Sequence, residues 1–249
     1  MEWNANNYQS ACGRVTEHGA KVADVLRGRI QGGRVLDLGC GTGELTHEIA
    51  KFSDEAIGID LSPDMIKKAK ESYPSIKFLV MDACALEWES YFDAVFSNAV
   101  LHFIKTQDAL LDSVCKSLTK NGVFVCEFGS DGNLANLLSA VEQACLKRGM
   151  AYSLRFFYPK EDEYVTLLEN HGFVVENVTT YDLDTRLNDG EAGLRNWLNM
   201  IFSIELGWFN PAEREEALTE IESKLSPTQW DGTNWHLANR RLQVIARKI

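Results

Sequence analysis

Three glycines at alternate positions, Gly39, Gly41 and Gly43, follow the apolar run RVLDL, and an acid, Asp37, sits inside that run. Glycine loses more backbone entropy than any other residue and is used where the chain needs positive φ or where a ligand approaches the main chain without meeting a Cβ. A second acid, Asp60, closes the next apolar run, AIGID. It lies about twenty residues further on, the spacing at which a carboxylate can hold ribose hydroxyls in a nucleotide-binding sheet. A dinucleotide fingerprint, GxGxxG, demands glycine at position 44, where this chain has Glu44, so the spacing GxGxG fits an adenosine ligand without a pyrophosphate better.

Other residues have the chemistry to act on an acceptor. His102, just beyond FDAVFS, and His236, opening the final apolar alternation, could serve as a general base toward a phenol or alcohol, although a lone histidine is more often a packed or capping residue. Arg155 and Arg195 could clamp a carboxylate bidentately, or be solvated surface charges. Trp3 and Tyr8 could fold back as an aromatic cover, and Trp197, Phe202, Trp208 and Phe209 could wall an acceptor or simply fix helices to the body.

The elements that must position these groups alternate in type. Val35, Leu36 and Leu38 predict a short strand, and Leu45, Ile49 and Phe52 recur at helical spacing after it. AIGID is the second strand; Ser62 and Pro63 then give an N-cap and a first-turn proline for a helix carrying Met65, Ile66 and Ala69. IKFLV, FDAVFS and GVFVCEF continue the strands, with a helix carrying Leu111, Val114, Cys115 and Leu118 that Asn121-Gly122 should stop. Alternation of this kind predicts a parallel sheet with right-handed crossovers: an α/β, doubly wound, Rossmann-like core. Ligands in such sheets sit outside the carboxyl ends of the strands, and the N-terminus of the helix after the glycines favours a carboxylate or phosphate. Residues 1–30 and 188–234 stand outside the alternation and are expected as a lid segment and a helical cap insertion on a single domain spanning 1–249.

At 249 residues the chain can bury one sizeable core. No apolar stretch is long enough to span a bilayer and no secretory leader is visible, so a cytoplasmic location is expected. A net charge of -11 opposes a phosphate backbone, which argues against a nucleic-acid partner. The six cysteines are scattered without metal-ligand spacing and are expected to be free thiols, with no metal site.

VLDLGCGTGELT, GIDLSPDMIKKAK, FLVMDA, FDAVFSNAVLHF and GVFVCEF, read in succession over residues 34–129, resemble the motifs of class I S-adenosylmethionine-dependent methyltransferases. The resemblance implies a seven-stranded sheet and S-adenosyl-L-methionine as cofactor. Gly39, Gly41 and Gly43 would cradle its methionine part, and Asp60 would take the ribose hydroxyls. Leu61 and Met65 would flank the adenine, Asp82 and Ala83 would meet the adenine edge, and Asn98 to His102 would line the methyl-transfer mouth. EWNANNY, YVTLLENHGFVVENVTTYDLDTRL, LRNWL and RRLQVIARK are similar to the trans-aconitate methyltransferase group. The resemblance also implies that enzymes acting on exocyclic amines of bases or glutamine carry an Asn/Asp-Pro-Pro-aromatic motif where this chain has Ser97-Asn98-Ala99-Val100, which disfavours that chemistry.

The expected reaction is thus O-methylation of a small-molecule carboxylic acid. Alignment alone can lower such a barrier by about 7–11 kcal/mol, and a carboxylate with a pKa near about 4 needs no base. A phenol, alcohol or amine acceptor, or a cofactor-binding protein without catalysis, are the competing readings, and the sequence leaves the oligomeric state open.

Overall fold

A computed structural model describes residues 18–249; Trp3, Tyr8, Cys12 and the remainder of the expected lid segment to residue 17 lie outside the described residues. A helix over residues 18–27 (α1) precedes the sheet. Its seven strands are β1 (Arg34–Leu38), β2 (Glu55–Asp60), β3 (Lys77–Val80), β4 (Phe92–Asn98), β5 (Leu118–Gly129), β6 (Phe173–Arg186) and β7 (His236–Lys248). They lie in the order β3-β2-β1-β4-β5-β7-β6, with β1 to β5 parallel and β7 antiparallel to β5. The doubly wound expectation holds, and the antiparallel β7 makes the sheet mixed.

The chain divides into two compact units. One comprises Val15–Asp131, Phe156–Tyr181 and Arg241–Ile249. Its central strands are apolar on both faces because both are covered. Val35, Ala94, Val125 and Ile245 pack with Val22, Leu26 and Ile49 on the side of α1 and α2 (Glu44–Ala50). Leu36, Val95, Phe124 and Val244 pack on the other side with Leu110 and Val114 of α4 (Gln107–Ser117) and Tyr164 and Leu168 of α6 (Glu161–Asn170). The helix α3 (Pro63–Ser72) begins as its sequence predicts, with Ser62 Oγ accepting from Met65 N at 3.4 Å and proline in the first turn. One boundary differs. Asn121-Gly122 does not separate helix from strand: α4 ends at Ser117 and β5 begins at Leu118, with Asn121 at φ 63° inside it and the β4–β5 register shifting between Phe92 and Ala94.

The second unit includes Gly132–Arg155 and Asp182–Arg240. In it α5 (Ala135–Lys147) packs against the long α9 (Pro211–Gln229), burying Leu137, Val141 and Cys145 on one helix and Leu218, Ile221 and Leu225 on the other. Between them in sequence, α7 (Gly193–Ile201) buries Leu194, Trp197, Leu198 and Ile201, and a single turn, α8 (Ser203–Leu206), follows. The start of α9 is fixed by a reciprocal cap, Asn210 with Glu213, and by Pro211. Among the described residues Cys40, Cys84, Cys115, Cys126 and Cys145 are free thiols, no helix is long and apolar enough to cross a membrane, and no metal-binding cluster occurs.

His171, just past α6, touches two carboxylates of α4: Nδ1 lies 2.6 Å from Asp112 Oδ1 and Nε2 lies 3.1 Å from Asp108 Oδ1. Burial alone would lower its pKa, but the bonds and charges of Asp112 and Asp108 outweigh it and raise the pKa above 6.5. A folded-state pKa raised in this way contributes stability that is fully present below the unfolded value and is lost as pH rises through the folded one. The melting-temperature gap between wild type and His171→Asn is therefore expected to be wide near about pH 6 and to narrow by about pH 8. Thermal unfolding across that range checks it, and a constant gap counts against it.

Candidate functional site

β1 and β4 are neighbours, and the chain leaves them in opposite directions along the sheet, so their carboxyl ends form the topological switch point. Ser97 Oγ donates to Leu38 O at 2.9 Å and ties the two ends together. Beyond β1 the turn folds back on β2, with Gly39 N and Cys40 N both donating to Ile59 O at 2.8 and 2.9 Å. Gly39 has φ 76°, and a Cβ there would lie 2.3 Å from Val100 Cγ2, so only glycine lets Val100 cross the turn. Gly41, at φ 54°, is different: no atom lies within 4 Å of where its Cβ would be. Gly43 caps α2 from the left-handed region.

Asp60 ends β2 and fastens two loops at once. Its Oδ2 accepts from Gly41 N at 3.1 Å and its Oδ1 from Ser62 N at 2.8 Å. Burial raises its pKa and these backbone donors oppose the rise. Each carboxylate oxygen retains a lone pair for a further donor. Asp37 is buried in β1 and accepts from Thr46 Oγ1 at 2.6 Å. Burial, with the charges of Asp60 and Glu44 adding and Thr46 opposing, pushes its carboxyl up to about 7. Next to Asp60, Leu61 is 71% exposed, an apolar surface beside a carboxylate edge, whereas Met65 is on the buried face of α3. Asp82 Oδ1 accepts from Cys84 N at 2.9 Å, capping a short turn whose first residue, Ala83, is buried. An acid edge, an apolar platform and a main-chain surface without side chains thus share one end of the sheet, a combination that can hold an adenosine-like group.

Beyond β4, Asn98 Oδ1 is buried and has no hydrogen-bond partner among the described residues. Ala99 follows at φ 59°, its N–H donating to Glu127 O at 2.7 Å. That left-handed residue turns the chain so that Val100 lies over Gly39. His102 is buried, and its Nδ1 accepts from Gly129 N at 3.3 Å. The accepting nitrogen carries no hydrogen, which assigns the neutral ring's proton to Nε2. Burial, and then the positive charge of Arg241, push its pKa down to about 3.

Other groups at this end of the sheet escaped the sequence reading. Glu127 of β5 is 1% exposed. It accepts from Tyr181 Oη, from His18 Nε2 at 3.0 Å and from Gln243 Nε2 at 3.4 Å. Although burial opposes it, hydrogen bonds from His18 and Tyr181 with the charges of His18 and Arg241 hold its pKa below the ordinary carboxylate range. An acid inside the otherwise apolar GVFVCEFG was the available signal. Gly19 of α1 also lies here, since a Cβ on it would stand 2.7 Å from Asn98 Nδ2.

The other candidates lie in the second unit, each bonded there. Arg155 donates from Nε to Glu205 Oε1 at 2.7 Å and also to Ile201 O. Arg195 forks onto Glu222, 2.8 Å on each arm, and donates to Glu215 at 2.6 Å. His236 contacts Asp184 and Asp231 at 2.7 and 2.9 Å. The structure brings Asp37, Gly39, Gly41, Gly43, Asp60, Leu61, Asn98 and His102 together in one unit and leaves both arginines already matched by carboxylates of their own unit.

Comparisons with known proteins bear on this arrangement. A family model described as a methyltransferase domain matches residues 30–172. A methyltransferase of Schizosaccharomyces pombe is 33% identical over 264 aligned positions, covering 99% of this chain and 98% of that one. Trans-aconitate 2-methyltransferase of Methylobacterium nodulans is 37% identical over 91 residues, 36% of this chain and 35% of that one. Among solved structures, the YcgJ protein of Bacillus subtilis superposes with a TM-score of 0.65 at 14% identity, over 92% of this chain and 98% of that one, a likeness of fold.

Proposed function

Because this chain belongs to the methyltransferase-domain family and is an S-adenosylmethionine-dependent enzyme, we propose that it methylates a small molecule at a carboxylate oxygen. Three observations fit the cofactor to the site: the open surface at Gly41, the exposed Leu61 beside Asp60, and the orphaned Asn98 Oδ1. In this reading Gly39, Gly41 and Gly43 hold the amino-acid part of the cofactor and Asp60 accepts from its ribose. Leu61 and Met65 flank its base, Asp82 and Ala83 meet the base edge, and Asp37 fixes the turn through Thr46. When bound, the cofactor supplies a methyl group that passes to the acceptor oxygen while the sulfonium sulfur keeps the bonding pair.

The chemical state of His102 carries the choice of acceptor. With its pKa near about 3 it is a poor base. Glu127, the other acid at the same end, is held ionised with its oxygens occupied by three donors. A phenol or alcohol would require a proton to be taken; a carboxylate is ionised at neutral pH and requires only to be oriented. His102, donating from Nε2, serves as an orienting donor for that oxygen. The relative named for trans-aconitate, itself a carboxylate, supports the same chemistry.

Release of S-adenosylhomocysteine should therefore be detected with carboxylic acids and not with phenols or amines of similar size. It should persist undiminished down to about pH 6, where a mechanism requiring a neutral histidine of ordinary pKa would have begun to fall. Turnover confined to phenols, or an activity falling with an apparent pKa between about 6 and 7, would remove this reading.

A further inference from the structure

We infer that Arg241 receives the acceptor's carboxylate, through its guanidinium, at the carboxyl end of β5. The inference rests on the acceptor reading above and adds the residue that would discriminate for it.

Arg241 lies in β7 directly opposite Gly129, the residue whose N–H fixes the His102 ring. Strand alternation puts it on the same face as Gln243, and so beside Glu127, Gln243's partner across the ladder. It is 7% exposed. Arginine buried to this degree is ordinarily held by a carboxylate fork, because an unmatched charge in the interior is costly. Among the described residues the Arg241 side chain makes no hydrogen bond and no ion pair, and its Nε is buried without a partner.

Its neighbours explain the charge without using the donors. Glu127 is two residues from Gly129 on the same face and supplies a compensating negative charge. Its oxygens, however, are taken up by His18, Tyr181 and Gln243. The guanidinium is thus electrostatically tolerated and left with unused planar donors beside the methyl-transfer mouth. Arg155 and Arg195, the two arginines that the sequence put forward, have no such surplus. A planar fork matches a planar two-oxygen anion, and the Nε2–H of His102 offers a further donor at the same place. The lowered pKa of His102, caused after burial by Arg241, agrees with a guanidinium within electrostatic reach of that ring.

The test uses the whole chain with S-adenosylmethionine and trans-aconitate, malonate and benzoate as probes, each beside its neutral amide. Wild type is expected to methylate at least one acid and no amide. Arg241→Gln should raise KM for that acid by about 30-fold or more, with kcat and S-adenosylhomocysteine affinity within about threefold. Arg241→Lys keeps the charge and loses the fork, and should raise KM by about tenfold. If Arg241→Gln lacks the wild-type circular dichroism spectrum, Arg241→Lys decides by the same KM criterion. An unchanged KM in the deciding variant overturns the inference and leaves the acceptor reading standing, and so does a loss confined to stability or cofactor affinity. A wild type that methylates none of the acids overturns both.

Discussion

Asp60→Ala is expected to weaken S-adenosylhomocysteine binding by about 100-fold, equivalent to ~2.7 kcal/mol. The carboxylate is the joint between the glycine turn and the start of α3, because one oxygen takes the N–H of Gly41 and the other that of Ser62. A hydrogen bond to a charged group contributes roughly 1.5–3 kcal/mol, so alanine removes support from both loops as well as the acceptor proposed for the ribose. Asp60→Asn keeps the volume and one acceptor oxygen and should fall between wild type and alanine. Calorimetric titration of the three proteins gives the ranking. Wild-type affinity in the alanine variant would displace the ribose from this edge of the sheet.

The second large effect separates two glycines only two positions apart. Gly39→Ala should be destabilising by about 3 kcal/mol, since a side chain in the left-handed region costs ~1–2 kcal/mol and overpacking adds ~1–3. Its methyl would meet Val100 at 2.3 Å from Cγ2 and 2.9 Å from Cβ, too close to be relieved by rotating Val100. Given about 2–4 °C per kcal/mol for a chain of this size, its melting temperature should drop by about 6–12 °C. Gly41→Ala pays only the backbone cost, because nothing stands within 4 Å of the new methyl. Its melting temperature should drop by about 2–8 °C, and it should bind S-adenosylhomocysteine at least about tenfold more weakly, since its methyl enters the surface on which the cofactor is proposed to lie. Melting curves with and without ligand distinguish the two. Full binding by Gly41→Ala would count against that placement.

What the sequence could reveal follows the range over which its signals act. β1 to β5 and the helices between them were legible because periodicity, Ser62-Pro63 capping and the glycine turn are local. Asn121-Gly122 misled for the same reason: a strong local breaker is tolerated inside β5, where Asn121 takes the left-handed conformation and the ladder shifts register. The arginines were ambiguous because their partners lie on other helices, Arg195 with Glu215 and Glu222 of α9 and Arg155 with Glu205 of α8. Glu127 and Arg241 were missed because their meaning is relational. His18 and Tyr181 reach Glu127 from 109 residues before and 54 residues after it, separations at which no pattern in one sequence declares a contact.

The placement of β7 has a consequence for the order in which the molecule can be made. The strand latest in sequence inserts between β5 and β6. Until residues 236–248 leave the ribosome, β5 therefore presents an open edge able to template pairing with another chain. The same insertion delivers Arg241 and Gln243 to Glu127. A nascent chain can thus fold its glycine turn early while the end of the sheet around Glu127 stays unfinished, and chaperone demand should be concentrated in that interval.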